Sequence, residues 1–386
     1  MHSQLDNGCF HGGAFFEAIG DDFGDLSRRT QIINADVLDA WFPPAPRVLD
    51  VLQVHAEWIA RTSPPTTASG LRSAIAKARS LPEASILPGG GSSDLIFLAL
   101  REWVTPRSRV LLLDPCYGEY AFVLEQVIGC TVDRVALTEA NGWRPDLDEL
   151  RKHPALGYDL FVLVNPNNPT GRLVSRANIE RLVKDIPPTT RVWIDEAYIE
   201  YVDAEQTMEP FAVRSSNVFV CKSMSKVYAL SGMRAAYLSG PEEEIARLRR
   251  LTPPWAVSLP AQIAAVHALA DPDYYRARYR ETNRYREELR ELLALLPGVR
   301  TVTGNANFLL CHLDESAPPV PTILEGCRRE GVYLRNVASM GRALGPRVFR
   351  TAVKDPVSNA RIVATIAHVM LTPRIDRPAR RPLALP

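Results

Sequence analysis

Asn165-Pro166-Asn167-Asn168-Pro169-Thr170-Gly171, then Asp195-Glu196-Ala197-Tyr198, then Ser223-Met224-Ser225-Lys226 decide the fold of this 386-residue chain. Each stretch follows an apolar run: Leu160-Phe161-Val162-Leu163-Val164, Arg191-Val192-Trp193-Ile194 and Asn217-Val218-Phe219-Val220. With Val110-Leu111-Leu112-Leu113, these near-continuous runs read as strands buried on both faces, which suits a parallel or mixed sheet covered by helices. Amphipathic stretches alternate with them, so the expected fold class is α/β.

The flanking sequence completes the outline. Helical periodicity runs from Arg47 to Ala60, Ser63-Pro64-Pro65 breaks it, and a helix resumes from Gly70 to Arg79. After Pro253-Pro254 a long charged helix is expected from Tyr274 to Leu295. Leu309-Leu310-Cys311-His312-Leu313 and Val348-Phe349-Arg350-Thr351-Ala352-Val353 read as strands of a smaller domain, and Asn359 to Leu371 as a last helix. The expected organisation is an N-terminal arm (1–45), a large domain (46–255), linking helices (256–295), a small α+β domain (296–372) and a disordered tail (373–386). In that tail Arg374, Arg377, Arg380 and Arg381 stand among prolines.

Composition excludes several classes. The chain is 46% hydrophobic and 23% charged, with a net charge of +1. That balance is ordinary for a globular protein and gives no reason to expect nucleic acid or a membrane surface as partner. No apolar run approaches the roughly 20 residues of a membrane span, and the first residues lack the basic-then-apolar pattern of a signal peptide. The six cysteines form no C-x-x-C pair, so reduced thiols in a cytoplasmic protein are expected. No H-x-x-x-H pair occurs, and no metal site is expected.

Lys226 is the first chemical candidate. A lysine amine can form a Schiff base with an aldehyde and can later shuttle protons. Ser223 and Ser225 stand just before it, and Arg234 follows eight residues later, after Gly232. Hydroxyls and a forked cation suit a phosphate. Gly89-Gly90-Gly91-Ser92-Ser93-Asp94 precedes the helical run Leu95 to Leu100. A glycine turn opening a helix offers free N–H groups and a positive dipole end to the same kind of ligand.

In order and spacing these motifs resemble pyridoxal-phosphate (PLP) enzymes of the aspartate-aminotransferase fold, fold type I, in the class I/II aminotransferase family. The nearer resemblance is to the histidinol-phosphate aminotransferase and threonine-phosphate decarboxylase branch. It covers nearly the whole chain and is strongest over 87–240 and 253–262. The resemblance implies pyridoxal 5'-phosphate as cofactor, bound as a Schiff base to Lys226. Asp195 would keep the pyridine nitrogen protonated, while Tyr198 and Asn168 contact the ring oxygen. Gly91, Ser92, Ser93, Ser223, Ser225 and Arg234 would surround the phosphate, and Tyr117 would lie on the ring face. Arg350 would grip the substrate carboxylate, with Arg335 as a second pocket arginine and Asn168 close by. Gly13, in His11-Gly12-Gly13, would belong to an arm folded over the substrate. A homodimer with its sites at the subunit interface is also implied.

The chain departs from the family pattern at three places. Ser63-Pro64-Pro65 stands where the family carries Tyr-Pro-Asp, whose tyrosine reaches the neighbouring subunit's cofactor phosphate. Lys354 stands where the decarboxylase branch often has arginine. Asn34-Ala35-Asp36-Val37-Leu38-Asp39 replaces an Asn-Asn-Pro type of arm. These positions select substrate side chains, which points away from histidinol phosphate and threonine phosphate. The expected reaction is amino transfer to a keto acid. The alternatives are decarboxylation or β/γ-elimination of a phosphoamino acid or S-adenosylmethionine, and a non-catalytic PLP-sensing regulator. The short, weakly basic arm argues against the regulator.

Overall fold

The computed structural model describes residues 12–152 and 157–371. His11, Cys9 and the arginine-proline tail lie outside the described residues. Among the described residues thirteen strands follow in chain order: β1 (Ile33–Asn34), β2 (Ile86–Gly89), β3 (Arg109–Asp114), β4 (Thr131–Ala136), β5 (Leu160–Val164), β6 (Arg191–Asp195), β7 (Val218–Ser223), β8 (Ala236–Ser239), β9 (Val299–Val302), β10 (Phe308–Leu313), β11 (Val332–Tyr333), β12 (Arg335–Asn336) and β13 (Val348–Ala352).

Seven of them form the large sheet, in the order β2-β8-β7-β6-β5-β3-β4. Strands β3 to β7 run parallel to one another, and β8 is antiparallel to both of its neighbours. Successive side chains of a strand point to opposite faces, and both faces are filled. On β6, Val192 and Ile194 pack with Leu111, Phe161 and Val220. Trp193, between them, packs with Trp103 and Phe219 on the other face.

The small sheet, β12-β13-β10-β9, is wholly antiparallel. The long helix Pro272–Ala294 buries Tyr275, Tyr279, Thr282, Arg286, Leu289 and Leu293. This spacing of four, three, four, three and four keeps one stripe of the helix inward. Asp271 caps it by accepting from the Tyr274 amide.

Two segments differ from the sequence reading. The helix expected over 47–60 is two helices, Pro46–Val54 and Ala56–Arg61, separated at His55, which has left helical geometry. The first packs on the helix Leu259–Leu269. The segment leading into it is tied to the small domain. β1 pairs in parallel with β11, Ala352 donates to the Ala35 carbonyl, and Asn307 Nδ2 donates to Leu38 O at 3.1 Å. Residues 33–39 are thereby held between the two sheets, next to the cavity described below.

Candidate active site

A cavity of about 550 Å³ opens beyond the carboxyl ends of the parallel strands, the place where open α/β sheets hold ligands. Ser92, Ser93, Tyr117, Asn168, Asp195, Tyr198, Ser223, Ser225, Lys226, Arg234, Arg335 and Arg350 all line it. Gly91 and Gly13 are not lining residues; Gly91 abuts Arg234, and Gly13 N donates to Asp36, which pairs with Arg335. A wide π-helical turn, Phe122–Ile128, supplies another side through Phe122, Glu125 and Gln126.

Asp195 ends β6 and is 4% exposed. Burial pushes its carboxyl up to about 6, against the pull of hydrogen bonds from Tyr120 and the Ala197 amide. Tyr120 Oη donates to Asp195 Oδ2 at 2.7 Å, Ala197 N donates to Oδ1 at 3.0 Å, and Trp193 Nε1 in turn donates to the Tyr120 hydroxyl. The carboxylate therefore has a fixed orientation but no cation in contact. A protonated ring nitrogen would supply one.

Lys226 lies on the short helix Met224–Val227 that follows β7. Its Nζ donates to Asp39 Oδ1 at 3.0 Å. Burial, with help from Arg234 and Arg350, holds this amine below the ordinary lysine range although Asp39 opposes the shift. A lowered amine pKa favours attack on an aldehyde. Tyr198 is buried, and its ring meets Phe308 edge-on at 5.3 Å. Burial raises its hydroxyl's pKa. The Tyr117 ring stands edge-on to Tyr120 at 6.0 Å.

The phosphate-like recess forms where Gly91 begins the helix Ser92–Trp103. Gly91 has φ 107 and ψ 162, a region essentially reserved for glycine. A Cβ there would lie 2.5 Å from Arg234 Nη2, so the missing side chain is what admits the guanidinium. Arg234 is exposed and donates through Nη1 to Ser225 Oγ and to the Ser231 carbonyl, both at 3.3 Å.

Arg335 and Arg350 are direct partners across β12 and β13 and so project on the same face. Arg350 Nη1 donates to Asn168 Oδ1 at 2.6 Å and Nη2 to Asp36 O at 2.9 Å. Its Nε is buried without a hydrogen-bond partner, a donor left for a ligand. Burial lowers this guanidinium to about 10, and Arg335 contributes. Arg335 Nη1 is 3.5 Å from Asp36 Oδ1, while Gly13 N donates to Oδ2 of the same carboxylate. Because Asn168 Oδ1 is engaged by Arg350, its amide group is the end left to donate into the cavity. The Asn167–Gly171 turn docks on the small domain, where Asn305 N donates to Gly171 O.

Sequence reading assigned no role to Tyr120, Asp36 or Asp39. Tyr120 sits three residues after Tyr117, close to one helical turn, but its meeting with Asp195 is a tertiary contact. Asp36 and Asp39 stood out only as departures from a family pattern. Ser63 is exposed and does not line the cavity. Among the described residues no group of three His, Cys, Asp or Glu is placed to hold a metal.

The donors fit pyridoxal 5'-phosphate: a glycine cradle with serines and a guanidinium at one end, a buried carboxylate without a cation, and a lysine of lowered pKa. The profile of the family "Aminotransferase class I and II" matches residues 37–366. A histidinol-phosphate aminotransferase of Symbiobacterium thermophilum is 30% identical over 326 residues, covering 84% of this chain and 86% of that protein. A threonine-phosphate decarboxylase of Salmonella typhimurium is 28% identical over 302 residues, covering 78% and 81%. Among solved structures, the histidinol-phosphate aminotransferase of Sinorhizobium meliloti in complex with pyridoxal-5'-phosphate superposes with a TM-score of 0.79 at 21% identity, covering 87% of this chain and 90% of that one. That likeness shows the fold, the α/β arrangement of PLP fold type I. The length of the family match, together with the order of these motifs along the chain, makes this protein a member of the class I and II aminotransferases, which depend on pyridoxal 5'-phosphate.

Proposed function

We propose that this protein transfers the amino group of an amino acid to a keto acid, with Lys226 as its catalytic base. The observation that carries the proposal is the convergence of the Lys226 amine, the Asp195 carboxylate and the Arg350–Asn168 pair on one cavity. Pyridoxal 5'-phosphate, when bound, supplies an aldehyde for the amine and a ring that withdraws the electron pair left on the substrate's α-carbon.

Each residue then has one task. Asp195 would hold a proton at the ring nitrogen, with Tyr120 keeping that carboxylate aimed. Asn168 and Tyr198 would donate to the ring oxygen, and Tyr117 would pack against the ring. Gly91, Ser92, Ser93, Ser223, Ser225 and Arg234 would hold the phosphate. Arg350 binds the substrate carboxylate through a fork that includes the unpartnered Nε. Arg335, set by Asp36 and Gly13, faces the rest of the substrate. Lys226 Nζ would take the proton from the substrate's α-carbon and hold it for return.

The substrate is proposed to be an amino acid, neither threonine phosphate nor the amino alcohol histidinol phosphate, because the arm and Lys354 differ where the side chain is selected. The protein is proposed to act as a cytoplasmic homodimer. Sedimentation at twice 42.9 kDa would support the dimer. Among the described residues Cys116, Cys130, Cys221, Cys311 and Cys327 are buried and form no disulfide, which fits a reducing compartment. Among the described residues no helix is long and apolar enough to cross a membrane.

The test is a single turnover of cofactor-loaded protein with a panel of amino acids and no keto acid. The panel includes phosphoamino acids and S-adenosylmethionine. Formation of a keto acid with stoichiometric pyridoxamine phosphate supports amino transfer. An amine with carbon dioxide, or an elimination product, would reject it in favour of lyase chemistry. Lys226→Ala is expected to lose turnover by at least about 100-fold and to lose the covalently attached chromophore, read by absorbance after borohydride treatment.

A further inference from the structure

The Lys226 amine meets a carboxylate that the arm carries into the site. Asp39 Oδ1 accepts from Lys226 Nζ at 3.0 Å, and among the described residues this is the ion pair Lys226 makes. Asn34 Nδ2 donates to the other oxygen, Asp39 Oδ2, at 3.4 Å. Lys354 reaches the same residue at its backbone, with Nζ donating to Asp39 O at 3.1 Å. The chain on either side of Asp39 is anchored, and Lys354 is held through its own backbone. The Leu38 carbonyl is held by Asn307 and the Trp41 indole by Thr282. Lys354 is held at its N–H and its carbonyl by the side chain of buried Asn359.

The charges around the amine do not balance. Arg234 approaches from the turn after the Lys226 helix, Arg350 from β13 and Lys354 from the segment beyond it. Tyr198 faces the site from the end of β6, and Asp355 stands beside Lys354. Three cations therefore oppose a proton on Lys226, and Asp39 is the carboxylate in contact that favours it. The response of each partner agrees with this arrangement. Burial works against the charge on Asp39, yet Lys226, Ser231 and Lys354 keep it below the ordinary range. Burial lowers Lys354 to about 8, with Asp39 opposing and Lys226 adding.

We infer that Asp39 is a positioning residue that sets the basicity of the Lys226 nitrogen, and that Lys354 sets it in the opposite sense. This rests on Lys226 being the lysine bonded to the cofactor. The nitrogen needs a proton when an incoming amine displaces it and must give the proton up to serve as a base. A carboxylate in contact with the nitrogen and an ammonium held on that carboxylate's own residue tune that balance without touching substrate.

The test is an absorbance–pH titration of PLP-loaded wild type, Asp39→Asn and Lys354→Gln, following the band of the Lys226-bound cofactor between its protonated and unprotonated forms. An opposite charge in contact moves a pKa by about 1–3 units. Asp39→Asn should therefore lower the midpoint by about 1–3 pH units, and Lys354→Gln should raise it by less. A loss of packing alone would not move the two midpoints in opposite directions. An unmoved midpoint in Asp39→Asn, or shifts of the same sign in both variants, would overturn the inference. If Asp39→Asn does not fold, Lys354→Gln decides: an unmoved or lowered midpoint is fatal. If wild type shows no titrating band and Lys226→Ala still binds cofactor covalently, the assignment of Lys226 fails first and takes the inference with it.

Discussion

Asp195 shows how one residue's chemistry depends on neighbours that are distant in sequence. A carboxylate at the end of an apolar strand is visible in the chain, but its environment is not. Burial raises its carboxyl to about 6, and the Tyr120 hydroxyl and Ala197 amide only partly offset that. The folded pKa lies above the ordinary 3.8, so the folded state holds this proton more tightly. The contribution is fully present below the ordinary pKa and is lost as pH rises through about 6. In cofactor-free protein, Asp195→Asn should therefore raise the melting temperature at pH 7.5 by about 2–4 °C, with the gain shrinking as pH falls toward 5. Melting curves across that range check it, and a constant gain at every pH would count against the burial argument. Adding PLP should invert the ranking, because the wild-type carboxylate then gains a cationic partner. Lys226, Asn168 and Arg350 were legible because motif spacing marks them. Asp39 was not, because its role exists only where the arm crosses the Lys226 amine.

The interior parallel strands were readable because both of their faces are buried, leaving runs such as Leu160–Val164 without a polar gap. The strands that escaped are those with weaker demands. β4 lies at the sheet edge with most of its side chains partly exposed or exposed, and β8 is four residues long. Nothing in the composition of β8 states that it runs antiparallel to β2 and β7. The helix-opening turn at Gly91 belongs to the same scale, since a backbone conformation there creates the recess. Gly91→Ala forces φ 107 on a residue with a Cβ and drives that atom into the Arg234 guanidinium. The expected cost is about 1–3 kcal/mol of stability, together with weaker cofactor binding as Arg234 is displaced. Denaturant titration and PLP fluorescence titration read the two effects separately. A variant with unchanged PLP affinity would show that the close approach of Arg234 to Gly91 does not shape the recess.

At the scale of the whole molecule, the strand that leads to the Lys226 helix is anchored from behind by a buried charge cluster. Ser223 and Lys222 alternate on β7. Ser223 lines the cavity, while Lys222 is 2% exposed and pairs with Glu200 at 2.7 Å, Glu196 at 3.3 Å and Glu209 at 3.9 Å. Arg79, from the helix Ser69–Arg79, closes the cluster on Glu200 and lies 3.8 Å from Glu209. Burial alone would neutralise these groups, but Lys222 and Arg79 keep Glu200 below the ordinary carboxylate range. For Lys222 itself the three glutamates outweigh burial and raise its pKa. Five charges from distant parts of the chain thus meet beneath one strand, and no local pattern announces them. Replacing Lys222 by Met keeps the stem but leaves Glu200 and Glu209 with Arg79 and removes the cation that Glu196 contacts among the described residues. Breaking a buried pair in this way costs about 3–5 kcal/mol. Lys222→Met should therefore unfold at clearly lower denaturant, while the fraction that remains folded binds PLP with near wild-type affinity, because Lys222 faces away from the cavity. Equal stability would mean that the cluster adds nothing beyond packing. Weakened PLP binding at full foldedness would mean that the charges behind β7 reach through the strand to the site.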